Sequence, residues 1–173
     1  VKKETSSVKN VSKENNSDKI TTVHKEQEET LKEEAAKTMI TVYRTNGTVL
    51  NLELEEYVIG VVASEMPASF HVEALKSQAI LARTYALRAL EVNTHLTDNS
   101  STQNYKSIEE LKKMWGSSFS TYYNKIKNAV EKTKGMYLTY QGEIVDAVYH
   151  STSNGWTEDA KNVWGNSIPY LVS

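Results

Sequence analysis

The chain of 173 residues is long enough for one domain with its own core, and a hydrophobic content of 39% can fill one. A formal net charge of −2 supplies no field that would gather nucleic acid, so nucleic acid is set aside as a partner. The absence of cysteine excludes disulfides, thiolate zinc sites and a cysteine nucleophile. No apolar run reaches the length of a membrane span. The chain opens on Val1 in place of methionine, and a segment upstream is expected to have been removed.

Residues 1–37 carry eight lysines, eight acids and no aromatic residue. Such a composition buries too little apolar surface to offset the entropy of ordering, which predicts a flexible charged linker. Within it, Glu28 and Lys32 have the i,i+4 spacing of a solvated helix over 26–37. The balanced charges argue against a lipid-binding tail.

Composition shifts at Met39, and residues 38–173 are expected to form the single folded domain. Ile40–Tyr43 alternates and is rich in β-branched residues, Asn46-Gly47 is a hairpin signal, and Thr48–Leu52 is the return strand. Apolar residues at 54, 57, 58, 61 and 62 have helical spacing up to Ser64-Glu65. Pro67 biases Met66 away from the helical region, so a turn is expected there. The main helix is predicted from about 70–72 to about 91–92, with Ser69 as N-cap. A polar loop follows over 93–102, then helices over 108–114 and 121–133, with Gly135 as a stop. Residues 136–140 and 143–149 read as a second hairpin around Gln141-Gly142. The end is loop-rich with exposed aromatics. The fold class predicted is α+β, with β-hairpins flanking a helical middle.

Taken residue by residue, the chemistry stays open. Glu65 is a solvated turn glutamate or a reactive group at a junction of two elements. Lys76 and Arg83, two turns apart on an alanine-rich helix, are solvated ends or the frame of an anionic or polyhydroxylated ligand. His150-Ser151-Thr152-Ser153 is turn chemistry or a source of hydrogen bonds to sugar. Tyr105, Tyr149, Trp156 and Trp164 are packing residues or stacking platforms. The histidines at 24, 71, 95 and 150 have no metal-ligand spacing, and no Gly-x-Ser-x-Gly elbow is present.

Several blocks together are more specific. Leu54–Phe70 with its Glu65-Met66-Pro67, Glu73–Ala86, Gln103-Asn104-Tyr105, Tyr149–Ser153, Thr157-Glu158, Val163-Trp164-Gly165 and Pro169-Tyr170-Leu171 resemble, in order, the stage II sporulation protein D (SpoIID) family. The resemblance covers about 38–173. It implies a membrane-anchored, extracytoplasmic enzyme, tethered upstream of Val1 at the forespore septum and engulfing membrane. The implied activity is lytic transglycosylation of peptidoglycan glycan strands stripped of stem peptides, with a SpoIIP-type amidase and a SpoIIM-type membrane protein as partners. Glu65 carries over as the single catalytic residue, Lys76 and Arg83 as cleft residues, and Tyr105, Ser151 and Thr152 as further substrate contacts.

On this reading Glu65 protonates the glycosidic oxygen and then deprotonates the 6-hydroxyl of the muramic acid, giving a 1,6-anhydro end. Two-carboxylate glycosidases need a second acid; here the attack is intramolecular, which can remove about 7–11 kcal/mol of barrier. Val61, Val62 and Met66 are expected to desolvate Glu65 and keep it protonated, with Arg83 and Lys76 directed to ligand. Three departures stand out. Asn154 replaces the first glycine of a Ser-Thr-Ser-Gly-Gly pattern. The cysteine of a zinc site found in some members is missing, so no metal and no cofactor are predicted. The family domain also runs past Pro-Tyr-Leu, whereas this chain stops at Ser173; if the chain is a truncation, part of the cleft wall is expected to be missing. The rival reading is a non-catalytic glycan-binding amidase enhancer. A spacer role would explain residues 1–37 but none of the ordered blocks.

Overall fold

Why the chain turns where it does is visible from its first hairpin. The computed structural model describes residues 38–173; the linker expected over 1–37 and its helix over 26–37 lie outside the described residues. Strand β1 (Met39–Tyr43) pairs antiparallel with β2 (Val49–Glu53), in a register that sets Tyr43 opposite Val49. Gly47 takes φ 84° and Asn46 Oδ1 accepts from the Thr48 N–H at 3.0 Å, the local bonding that makes Asn-Gly a turn former. Ile40 and Val42 point into the core and their neighbours do not, as a period of two requires.

Helix α1 (Leu54–Glu65) follows directly and is buried on nearly all sides from Leu54 to Ala63. It packs against α2 (Val72–Glu91) and α4 (Phe119–Lys132). A helix apolar all round belongs at the centre of a fold, and here the other elements gather around it. It ends as Pro67 predicts, with Met66 extended at φ −132°, ψ 131°. Helix α2 is slim on its inner face, where Ala79, Ala82, Ala86 and Ala89 are buried. Its N-cap is His71, whose Nδ1 accepts from the Glu73 N–H at 3.3 Å, in place of the expected Ser69.

The loop after α2 holds a short strand, β3 (Leu96–Thr97), parallel to β1, so the sheet order is β2-β1-β3. Helix α3 (Ile108–Trp115) starts at a reciprocal capping box between Ser107 and Glu110, and a 3₁₀ turn over Gly116–Ser118 leads into α4. The second hairpin is shorter than predicted: β4 (Thr139–Tyr140) and β5 (Glu143–Ile144) pair for two residues each. Its turn is as expected, with positive φ at both Gln141 and Gly142. The flanking backbone takes other partners, since the Leu138 N–H donates to Thr84 Oγ1 and the Asp146 N–H to the Tyr170 hydroxyl. A short helix, α5 (Ala160–Trp164), lies in the loop-rich end. The described residues thus form one α+β domain. No helix among them is long and apolar enough to cross a membrane.

Two arginines tie these elements together. Arg83 is fully buried, and its guanidinium holds Glu55 in a two-point contact at 2.8 and 2.7 Å. Its remaining N–H groups reach the carbonyls of Ala79, Val130 and Met136. A guanidinium has five N–H donors, and all five are taken. The expectation that Arg83 meets a ligand is therefore corrected: no donor is left for one, and its partner is Glu55. Arg44 donates to Asp98 at 3.0 Å and to both oxygens of Glu110 at 2.7 and 2.8 Å, joining the end of β1 to the loop after β3 and to α3.

Removing Arg83 leaves a partly buried carboxylate and several carbonyls without their donor. Arg83→Met is expected to lower unfolding stability by about 3–5 kcal/mol in urea denaturation; an unchanged midpoint would contradict the structural role. Burial pushes the carboxyls of Asp98 and Glu110 up, but hydrogen bonds from Thr45, Ser107 and Arg44 outweigh it and hold both below their ordinary values. Their contribution to stability is therefore full above the unfolded values near ~4 and is lost as pH falls through the lower folded values. The melting temperature of Arg44→Gln is expected to fall less steeply below about pH 4 than that of the unsubstituted protein, and parallel curves would contradict this.

Candidate active site

Glu65 is the last residue of α1, half-buried, just before the Met66-Pro67 turn. Its Oε1 accepts two hydrogen bonds from one residue, the Asn104 backbone N–H at 2.8 Å and the Asn104 side-chain amide at 3.1 Å. The turn that follows is fixed from the other side, because Lys125 on α4 donates to the carbonyls of Ala68 and Phe70 at 2.8 and 2.7 Å. Val61 and Val62, expected to desolvate the carboxyl, are fully buried core residues, and the groups that contact the carboxylate itself are N–H donors. A proton on this carboxyl therefore belongs on Oε2, because Oε1 serves as acceptor to two N–H groups.

The loop that brings Asn104 to Glu65 is pressed onto α1 at a single glycine. A Cβ on Gly60 would lie 2.3 Å from the Tyr105 ring and 2.7 Å from the Lys106 carbonyl. The Lys106 N–H donates to the Gly60 carbonyl at 3.4 Å. Tyr105 stacks on Tyr57, three residues before Gly60 on the same face of α1, with ring centroids 5.6 Å apart. The Arg44 guanidinium also sits over the Tyr105 ring, 5.8 Å from its centroid. Burial pushes the Tyr105 phenol up to about 12, so it is neutral at any physiological pH. Tyr105, expected as a substrate contact, is thus a buried support, and its predecessor in the chain is the residue that meets the carboxylate.

Behind Glu65 lies a buried polar row. The Tyr57 hydroxyl donates to Gln103 Oε1 at 3.2 Å, and Gln103 Nε2 donates to the Tyr149 hydroxyl at 3.2 Å. Tyr57 and Gln103 are both fully buried. Burial pushes the Tyr57 and Tyr149 phenols well up; for Tyr149 the Gln103 bond pulls the other way and the nearby Glu65 carboxylate adds to the rise.

In front of Glu65 is an open cleft of about 410 Å³, lined by Ala63 to Ala68 and, across from them, by Met114 and Trp115 at the end of α3. Trp115 is braced edge-on by Tyr122 at 5.7 Å. Lys76 lies on α2, paired with Glu73 at 2.7 Å and partly exposed. Ser151 and Thr152 are exposed in the segment after β5. Of the six residues singled out in the sequence, Glu65 and Tyr105 share this region, and Arg83 belongs to the core. The sequence reading passed over Asn104, although it lies inside the quoted Gln103-Asn104-Tyr105 block. It also passed over Gln103, whose burial no hydropathy pattern signals in a polar loop. Among the described residues no three His, Asp or Glu side chains gather where they could hold a metal ion.

A family model described as "Stage II sporulation protein" (SpoIID) matches residues 43–140. Stage II sporulation protein D of Bacillus subtilis (strain 168) is 50% identical over 154 residues, 84% of this chain and 44% of its own length. The protein of the same name from Bacillus amyloliquefaciens is 48% identical over 155 residues, again 84% of this chain and 44% of its own. A protein named amidase enhancer from Bacillus subtilis (strain 168) is 40% identical over 114 residues, 66% of this chain and 14% of its own length. The chain thus spans less than half the length of these relatives.

Replacing an interior helical glycine by alanine ordinarily gains about 1 kcal/mol of helix propensity. At Gly60 the sign should reverse. Gly60→Ala is expected to lower the melting temperature and to detach the 103–106 loop, seen as faster hydrogen exchange at the Asn104 amide. A variant as stable and as protected as the original would contradict the close approach.

Proposed function

Because the chain belongs to the stage II sporulation protein D family, we propose that it is a lytic transglycosylase acting on peptidoglycan glycan strands from which the stem peptides have been removed. The observation that carries this reading is Glu65 itself: half-buried on a cleft wall, with one carboxyl oxygen committed to Asn104 and the other left to handle a proton.

The proposed reaction uses that oxygen twice. Protonated Oε2 gives its proton to the glycosidic oxygen as the bond from the muramic acid C1 breaks. The 6-hydroxyl of the same sugar attacks C1, and Oε2 takes the hydroxyl proton. The product is a 1,6-anhydro ring, no water is consumed, and Glu65 ends in the state in which it began. Positioned proton transfer of this kind contributes about 10²–10⁴-fold, and the intramolecular attack contributes through effective molarity. Trp115 and Met114 suit the apolar face of a sugar ring across the cleft. Lys76, Ser151 and Thr152, all partly or fully exposed, are assigned to polar groups of the strand.

The same proposal places residues 38–173 as the catalytic domain, outside the cytoplasmic membrane on an anchor upstream of Val1, at the septal and engulfing membrane. A SpoIIP-type amidase would supply the stripped strands, and a SpoIIM-type protein would share the membrane complex. The similarity to an amidase enhancer favours one alternative, in which the domain binds glycan and activates an amidase without cutting.

Incubation with stem-peptide-free glycan strands, read by mass spectrometry for anhydro-muramyl ends, separates the two. The unsubstituted protein should make such ends, and Glu65→Gln should make them at least about 100-fold more slowly while still binding strands. Strand binding with no anhydro ends from either protein would favour the activator.

A further inference from the structure

Asn104 gives its backbone and side-chain N–H groups to one oxygen of Glu65 and keeps its side-chain carbonyl back. We propose that Asn104 also binds substrate: its Oδ1 accepts the N–H of the 2-acetamido group on the muramic acid whose C1–O bond is cut. The ligand is named from the reaction proposed for Glu65, so the proposal rests on that reading.

The local bonding frees Oδ1 for this use. A carboxylate oxygen only accepts, so the amide turns its nitrogen to Glu65 and its oxygen away. Nδ2 lies 3.1 Å from Oε1, and the Asn104 backbone N–H, 2.8 Å from the same atom, holds the residue at a second point. Oδ1 therefore sits one amide's width from the carboxylate, in a direction set by two bonds. Among the described residues no donor reaches it, since the hydrogen bonds of Asn104 are those two. Nor is it sealed off: among the described residues Gln78 Nε2 is the one side-chain polar atom buried without a partner. Beside the acid–base group there is thus a fixed acceptor, open to solvent.

Donor counting on the sugar selects its partner. A muramic acid within a stripped strand has C1 and C4 in glycosidic bonds, C3 in the lactyl ether and C5 in the ring. Its lactyl carboxylate is ionised at neutral pH and only accepts. Two donors remain, the 6-hydroxyl and the acetamido N–H. In the proposed reaction the 6-hydroxyl gives its proton to Oε2, so the N–H is the donor left for Oδ1. It stands on C2, next to the C1 at which Glu65 acts, just as Oδ1 stands next to the carboxylate. Asn104 then holds ring and carboxylate through one side chain, the kind of positioning on which an intramolecular attack depends.

The test compares two synthetic stripped tetrasaccharides by calorimetry, one natural and one with each muramic acid 2-acetamido group replaced by a 2-O-acetyl ester. The ester keeps the shape and the carbonyl and lacks the N–H. Both are titrated into the slow-cutting Glu65→Gln chain, with and without Asn104→Ala. With Asn104 present, the amide ligand should bind about five- to tenfold more tightly than the ester, the range for one net hydrogen bond. Asn104→Ala keeps its backbone N–H, and the ratio should fall to about one. A general loosening of the loop would weaken both ligands alike, so a ratio unchanged by Asn104→Ala overturns the proposal. Equal binding of amide and ester by the chain with Asn104 overturns it too, whatever the stability of the alanine variant, and so does failure of both to bind. A ratio that depends on Asn104, in a protein whose unsubstituted form makes no anhydro ends, would retain the contact and reject the proposed reaction.

Discussion

The contact between Gly60 and Tyr105 sets the height of everything above it. With no side chain at Gly60, the Tyr105 ring and the Lys106 carbonyl rest directly on α1. Asn104 precedes them by one and two residues, and at that height both of its N–H donors reach Glu65 at the end of the same helix. One methyl group at position 60 would lift the loop. Helix α1 therefore carries both the carboxylate and the seat of the loop that orients it, and an error in one is transmitted to the other.

Two arginines hold that arrangement, Arg83 fully buried and Arg44 partly buried, and each is paired with carboxylates of the protein. Arg44 grips Asp98 and Glu110 and covers the Tyr105 ring, so it fixes both ends of the loop between β3 and α3. Arg83 joins α1 to α2, α4 and the strand-leading segment at Met136. A buried pair of this kind is weak as a source of net stability, because desolvation offsets much of the attraction, but it specifies geometry because its loss is costly. The site thus stands on a frame of paired charges and stacked tyrosines, with the half-buried Glu65 carboxylate where the frame opens to the cleft at Trp115.

Much of this was legible in the chain itself. Asn46-Gly47 marked the first hairpin, the spacing of 54, 57, 58, 61 and 62 marked α1, and Pro67 marked its end, because each rests on local chemistry. Contacts between distant residues left no such mark. Strand β3 has two residues and pairs in parallel with β1 across more than fifty positions, too short for any alternation to show. Arg83 and Glu55 are 28 residues apart, so an arginine on an alanine-rich helix read as a group awaiting a ligand when it had an internal partner. The second hairpin was drawn too long because its β-branched and aromatic residues suit a strand, while their backbone groups bond instead to Thr84 and Tyr170. Glu65 was singled out by its place at a junction and by family resemblance. Asn104, which orients it, was hidden beside the more conspicuous Tyr105.

The most direct test of the account is a crystal structure of Glu65→Gln with a stem-peptide-free glycan oligomer bound. The account predicts that a glycosidic oxygen lies within hydrogen-bond distance of the residue-65 amide nitrogen, with a sugar ring against Trp115 and the other side-chain atom still held by Asn104. A strand seated instead in the second groove of about 320 Å³, bounded by Tyr85, Arg88, Trp164 and Leu171, with residue 65 untouched, would contradict it.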